Sequence, residues 1–353
     1  MKTIKNSYNS IVSISSLFDA YLIARKQKRY KTKVQEFELY LGDNILKLNE
    51  LLKNNKYEPD DYIKFTIYEP KKRIIFAPSF KDTVVQHSIY KHIYDIFDRS
   101  FIFDSYGCRK SKGNHAASKR AQQFLRYYSA EYYYVKLDIK KFFYSIDRSI
   151  LMDLIAKKIS DRRLLEIIQK LIYYPDPTGI PIGNLLSQLF ANVYLNQVDH
   201  YCKRVLKLTH YVRYVDDMLL VGFETYTQAV NVKNKIEHFV NTELKLELSK
   251  FSIQKIKRGV NFVGFVTFQD VKFLRKFSIK KFKKYIKHHK KLLPNIISIL
   301  GNSRHSSNRN SLIWLFLRQL ILEIQCQKFK YMFTLYMVYE FIPKLGVIDQ
   351  GRR

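Results

Sequence analysis

Residues 211–222 read YVRYVDDMLLVG, and Asp216 and Asp217 stand side by side in an otherwise apolar stretch. Two adjacent carboxylates repel each other, and apolar surroundings raise the cost of ionising either one. A hard divalent cation would relieve both costs. Mg²⁺ prefers oxygen and is commonly held by a few carboxylates together with substrate phosphates. Two such ions, roughly 3.5–4 Å apart, clamp the attacking and leaving oxygens of a phosphoryl transfer. A third acid, Asp138, stands near the end of the β-rich run YYYVKLDI at 132–139. A bare Asp-Asp pair is more often an exposed turn, so the rest of the chain must decide its meaning.

The rest of the chain is strongly basic. Its 353 residues carry 62 Lys and Arg against 31 Asp and Glu, a formal charge of +31. Such a field attracts polyanions, nucleic acid ahead of an acidic membrane surface. Aromatic residues make up 15 %, and many lie among the bases, where rings can stack on nucleobases. The three cysteines, Cys108, Cys202 and Cys326, are too scattered for a zinc site, and their odd number argues against a disulfide framework. The N-terminus lacks the unbroken apolar core of a signal peptide. The most apolar run, LIWLFLRQLILEI, is interrupted by Arg318 and Gln319 before it reaches membrane-spanning length. A cytoplasmic, polyanion-binding protein with no membrane association is the expectation.

The elements that position the acids follow from periodicity. Residues 15–54 predict two amphipathic helices, the first carrying Leu17, Phe18, Tyr21 and Leu22. The second carries the stripe Val34, Phe37, Leu41, Ile45, Leu48 and Leu52. YIKFTIYEPKKRIIFAP at 62–78 predicts a hairpin with a basic tip. A helix follows through VVQHSIYKHIYDIF, then the loop SYGCRKSKGNHAA at 105–117. The run at 132–139 is a strand, and two helical segments occupy about 149–173. After Gly183 the spacing of Leu186, Leu189, Phe190, Val193, Tyr194 and Val198 predicts another helix. Residues 211–222 form a hairpin turning near the aspartates, followed by a helix over about 226–241 and strands around 260–268. Between Lys272 and Lys291 ten of twenty residues are Lys or Arg and none is acidic, with Phe273, Phe277, Phe282 and Tyr285 interspersed. Phosphate contact is the favoured reading of that density, against a merely solvated helix.

Eight blocks in order give the acids their context. These are KKRIIFAPS, FKDTVVQHS, SYGCRKSKGNHAA, VKLDIKKFFYSID, GIPIGNLLSQLFANVYLNQVDH, RYVDD, LELSKFSI and GVNFVGF. From about residue 60 to 268 the chain resembles a reverse transcriptase. The resemblance implies an α+β fold, the right-hand polymerase, with fingers, a palm built on an antiparallel sheet, and a helical thumb. It implies an N-terminal helical extension (1–58), fingers (59–131), palm (132–268, with finger-linked helices at about 149–173) and a basic helical thumb (269–353). Two Mg²⁺ ions would be held by Asp138, Asp216 and Asp217, and deoxynucleoside triphosphates would be the substrates.

The same resemblance makes Lys71, Lys72 and Arg73 the residues that grip the triphosphate, and a guanidinium suits phosphate oxygens bidentately. Phe143 becomes the gate against a ribose 2′-OH, with Phe142 beside it in the core. Lys250 matches a lysine that protonates pyrophosphate, although a surface lysine fits that position equally. Arg109 and Lys110 are implied to touch template backbone, and Lys280, Lys281, Lys283 and Lys284 of the basic tail read as phosphate contacts. GVNFVGF looks like the segment that holds the primer terminus.

One block, whose Ile182, Gly183 and Gln188 are implied by the resemblance to contact the incoming deoxynucleotide, narrows the subtype. Where most relatives carry Gln-Gly and Ser-Pro pairs, this chain has Ile182-Gly183 and Ser187-Gln188. That form resembles the reverse transcriptases of diversity-generating retroelements. The resemblance implies copying of a template-repeat RNA into adenine-mutagenised cDNA for mutagenic retrohoming. It also implies a structured RNA partner, a cDNA–RNA hybrid, and a small, basic, oligomeric accessory variability protein. A phage-defence or retron-type enzyme and a non-catalytic RNA-binding scaffold are the alternatives.

Overall fold

The computed structural model describes residues 7–68, 72–288, 292–314 and 317–318. Lys71 and Cys326 lie outside them. The chain divides into two compact units, Met1–Val263 and Gly264–Arg353, so the block GVNFVGF, expected to hold the primer terminus, straddles the division.

The first unit opens with α1 (Tyr8–Val12), α2 (Ile14–Ala24), α3 (Thr32–Leu39) and α4 (Leu41–Lys53). The stripe expected to make one helix is largely buried, but the helix breaks at Tyr40, whose backbone leaves the helical region. Leu17 and Tyr21 of α2 enter the core whereas Phe18 faces outward. Next come the hairpin β1 (Ile63–Ile67) and β2 (Arg73–Ala77), α5 (Phe80–Asp98) and α6 (Asn114–Arg126). The expected loop at 105–117 thus ends early, because the helix begins at Asn114.

The remaining elements build one four-stranded antiparallel sheet and cover it. They are β3 (Tyr133–Ile139), α7 (Phe142–Ser145), α8 (Arg148–Ala156), α9 (Arg162–Leu171), α10 (Leu185–His200), β4 (Tyr211–Tyr214), β5 (Asp217–Phe223), α11 (Tyr226–Leu244), β6 (Leu248–Lys255) and β7 (Val260–Phe262). The strand order is β4-β5-β3-β6. Successive side chains on a strand point to opposite faces. On β3, Val135, Leu137 and Ile139 join the large core shared with α5, α8, α10 and α11. Tyr134 joins a smaller cluster with Ala117, Ala121, Phe124 and Leu125 of α6. By the same alternation Lys136 and Asp138 belong to the Tyr134 face, and there they are half-buried.

In the second unit, β8 (Phe265–Thr267) pairs with β9 (Lys272–Leu274), followed by α12 (Lys276–His288) and α13 (Leu292–Ser303). Phe282, grouped by sequence with the interspersed aromatics, is buried with Phe265, Leu274, Leu300 and Leu312. Phe277 is 63 % exposed. Among the described residues no helix is long and apolar enough to cross a membrane.

Candidate active site

The hairpin β4–β5 closes at Tyr214↔Asp217, which leaves Val215 and Asp216 to make the turn. Leu137 of β3 is opposite Met218 of β5, so Asp138 and Asp217 emerge at the same end of neighbouring strands. Asp138 is thereby gathered with the distant pair Asp216–Asp217 at one end of the sheet. Their proximity has an electrostatic signature. Burial, reinforced by the charges of Asp138 and then Asp217, pushes the Asp216 carboxyl up to about 6, while Arg73 opposes the rise. The same interaction places the guanidinium of Arg73, at the start of β2, within electrostatic reach of the turn.

Two side chains that motif reading passed over help to hold these acids. Lys136 Nζ stands 3.0 Å from Asp217 Oδ1. Ser249 Oγ donates to Asp138 Oδ2 at 2.6 Å. Lys136 could have been noticed as a base two residues from Asp138 on the same strand face. Lys250 is the cross-strand partner of Asp138 and is exposed.

The three acids suit a hard cation in type and in the mutual repulsion that burial sharpens. Among the described residues, however, no three acidic, His or Cys side chains converge into a ready-made cage. Lys136 meanwhile supplies positive charge to Asp217.

A second group of site residues is stitched together by backbone. Phe76 N–H of β2 donates to the Ile182 carbonyl at 2.8 Å, and Ile180 N–H donates to the Phe143 carbonyl at 2.8 Å. Tyr144 OH donates to the Ile74 carbonyl at 3.2 Å. Segment 179–183 therefore bridges the hairpin β1–β2 and the short α7. Gly183 has φ +111°, and a Cβ there would meet Ile75 Cγ2 at 2.9 Å, so any other residue would be strained and crowded. Asn184 fastens the end of this segment: its Oδ1 accepts from Leu186 and Ser187 N–H at 2.9 and 3.3 Å, capping α10. Asn before an apolar run is the sequence signal for that cap. Ile182 and Phe143 are not in the same class as their neighbour Phe142, which is buried as expected. Phe143 is half-buried, and Gln188 is exposed on the first turn of α10. Lys72 is exposed beside β2.

Arg109 and Lys110 differ from each other. Five hydrogen bonds of the Arg109 guanidinium run inward, to Asp98 Oδ1, Oδ2 and carbonyl and to the Ile102 and Ser105 carbonyls. That geometry does not support the expected template contact for Arg109, which braces its own loop. Lys110 has its Nζ 4.4 Å from the Tyr94 ring centre. On α12, Lys280, Lys283 and Lys284 are exposed and Lys281 is half-buried.

Residues 59–267, more than half of the chain, match the family described as Reverse transcriptase (RNA-dependent DNA polymerase). The chain belongs to the reverse transcriptase family. The sheet carrying the three acids is accordingly the palm of a right-hand polymerase fold. The putative COX1/OXI3 intron 2 protein of Saccharomyces cerevisiae is 21 % identical over 64 % of this chain and 34 % of its own length. Group II intron-encoded protein LtrA of Lactococcus lactis subsp. cremoris is 23 % identical over 68 % of this chain and 51 % of its own. Protein YkfC of Escherichia coli is 23 % identical over 56 % and 65 %. The chain thus spans from about a third to just under two thirds of the length of these relatives. Among solved structures, telomerase from Candida albicans in complex with a TWJ fragment of telomeric RNA is similar at a TM-score of 0.48 and 16 % identity, covering 76 % of this chain and 55 % of that one.

Proposed function

We propose that this reverse transcriptase copies an RNA template into DNA for a diversity-generating retroelement. The observation that carries the polymerase reading is the meeting of Asp138 with the Asp216–Asp217 turn at one end of the palm sheet. In this reading the three acids hold two Mg²⁺ ions, which neutralise charge on the attacking and leaving oxygens. The chain's own residues do the rest. Arg73, assisted by Lys71 and Lys72, binds the triphosphate of an incoming deoxynucleotide. Phe143 walls off a ribose 2′-OH, and Lys250 is the proton donor to departing pyrophosphate. Lys110 and the α12 lysines Lys280, Lys281, Lys283 and Lys284 contact template or hybrid phosphates. Residues 1–58 form a helical extension, 59–131 the fingers, 132–268 the palm and 269–353 the thumb.

The retroelement assignment rests on Ile182-Gly183 and Ser187-Gln188. An aliphatic side chain at 182 offers dispersion contact where glutamine offers directional hydrogen bonds, which loosens control over the templated base. The products are then adenine-mutagenised cDNAs copied from a structured template-repeat RNA. Phosphate contacts carry little sequence information, so correct initiation requires that RNA's own fold and a small basic accessory protein.

The test is Mg²⁺-dependent extension of a primed RNA by the purified chain, followed by sequencing of the cDNA. DNA synthesis with errors concentrated opposite adenine supports the whole reading. Synthesis with evenly spread errors retains the polymerase and removes the retroelement. Efficient, correctly started synthesis on the natural RNA without an accessory protein removes that dependence.

A further inference from the structure

Beneath the YVDD turn lies a polar network that the proposed reaction does not use. Helix α10 carries Asn192 and Asp199 seven residues apart, close to two turns, so both face the same way. Strand β4 carries Tyr211 and Arg213 two residues apart, hence on one face. All four side chains are buried, Arg213 and Asp199 completely. Arg213 Nε and Nη2 grip Asp199 Oδ1 and Oδ2 at 2.7 and 2.6 Å, and Tyr211 OH donates to the same Oδ1 at 2.7 Å. The remaining nitrogen, Nη1, donates to Asn192 Oδ1 at 3.1 Å and to the Val215 carbonyl at 2.8 Å.

That last bond reaches the turn itself. Val215 has φ +54°, a left-handed conformation that β-branched residues rarely adopt, and its carbonyl immediately precedes Asp216. The opposite side of the turn is closed by loop 105–107. A Cβ at Gly107 would fall 2.6 Å from Val215 N, so this loop fits only with glycine there. Asn192 Nδ2 donates to the Gly107 carbonyl at 2.7 Å, and Tyr106 N–H donates to the Arg213 carbonyl at 2.9 Å. The Arg213 guanidinium and the Asn192 amide therefore hold both walls of the turn.

We infer that Arg213 is the positioning residue of the acidic turn, fixing through the Val215 carbonyl where Asp216 and Asp217 stand. The inference rests on the polymerase reading of that site. A role in stability alone does not account for the arrangement. Buried ion pairs are often replaced by apolar residues of similar volume without loss of stability, whereas no apolar residue can donate to the Val215 carbonyl. Lysine cannot substitute either, because a single ammonium lacks the planar fork that serves Asp199, Asn192 and Val215 together.

Two variants separate the roles. Arg213→Lys keeps a positive charge against Asp199 and removes the fork. The triple variant D199L/Y211F/R213M removes the ion pair and its phenol donor together, leaving no orphaned charge. Each is compared with wild type by thermal unfolding, by amide hydrogen exchange of metal-free protein over residues 211–220, and by kinetics on a primed RNA. For whichever variant folds with a native-like melting temperature, exchange should quicken at Val215–Met218 and stay native elsewhere. kcat should fall about 10–100-fold, the range for residues supporting a ligand set, with more Mg²⁺ needed for half-maximal rate and template affinity unchanged. A folded variant with native exchange at the turn and an unchanged Mg²⁺ requirement overturns the inference. If wild type itself makes no DNA, the polymerase reading fails, while the exchange measurement still decides whether Arg213 holds the turn.

Discussion

The acids of the palm and the lysines of α12 are held in opposite ways. Asp216 is half-buried at a turn braced from beneath by Arg213, and Asp138 and Asp217 are each engaged, by Ser249 and Lys136. Lys280, Lys283 and Lys284 instead stand exposed on one helix whose buried anchor is Phe282. Under the proposed function the difference follows from what each region would have to do. Charge stabilisation of a reacting centre depends on placement within fractions of an ångström, whereas attraction of a polyanion depends on the number of charges far more than on their exact geometry. The basic hairpin end is intermediate: Arg73 is exposed, yet its charge is felt at Asp216.

The contrast predicts which changes are severe. Asp216→Asn should lower Mg²⁺-dependent DNA synthesis by about three orders of magnitude, comparable to removing one charge-stabilising group from a preorganised site. RNA affinity, measured by filter binding, should remain at wild type. Normal extension by this variant would dissolve the distinction between placed and merely collected charge. Phe143→Ala should reduce the preference for a deoxynucleotide over its ribo analogue by about ten-fold, the scale of a steric contact in a shaped pocket. Single-turnover incorporation of the two nucleotides checks this, and an unchanged ratio would return Phe143 to the core that Phe142 already occupies.

Changes on the collecting side should be graded. Replacing Lys280, Lys281, Lys283 and Lys284 by Gln should flatten the salt dependence of hybrid binding. The log–log slope should drop by about 0.7–0.9 for every phosphate that the helix no longer neutralises. A curve superimposable on wild type from low to high salt would make α12 an ordinary solvated helix. The smallest effect belongs to Ile182→Gln. A restored hydrogen bond is worth about 0.5–1.5 kcal/mol, so errors opposite template adenine should fall several-fold while total synthesis holds. Equal adenine error rates in sequenced cDNA would show that position 182 does not set fidelity.

Much of this arrangement was legible in the chain because it is local or periodic. The YVDD hairpin, the strand carrying Asp138 and the helix after Gly183 all declare themselves by alternation or by apolar spacing. What stayed hidden depends on pairing between distant segments. Arg213 lies inside the YVRYVDD run, yet its meaning requires Asp199 and Asn192 from another element. A base on an otherwise buried strand was the available clue, since an unpaired charge there would be prohibitively costly. Arg109 misled for the converse reason: a loop arginine resembles a phosphate ligand until Asp98 is seen to occupy it. The break at Tyr40 was hidden because α3 and α4 continue one apolar stripe through it.

Helix α10 has a consequence for anyone who redesigns this protein. It is one rod of 16 residues, Leu185–His200. Its first turn carries Gln188 beside the Ile182-Gly183 segment, and its later turns carry Asn192 and Asp199, which reach the acidic turn through Arg213. Exchanging the whole block from Ile182 to Gln188 for another sequence would also replace Asn184, whose side chain caps the rod's first turn. The same rod carries Asn192 and Asp199, which hold Arg213 and through it the Val215 carbonyl before Asp216. A single change at Ile182 leaves the Asn184 cap in place, whereas exchange of the whole block puts Asn192 and the acidic turn at stake as well.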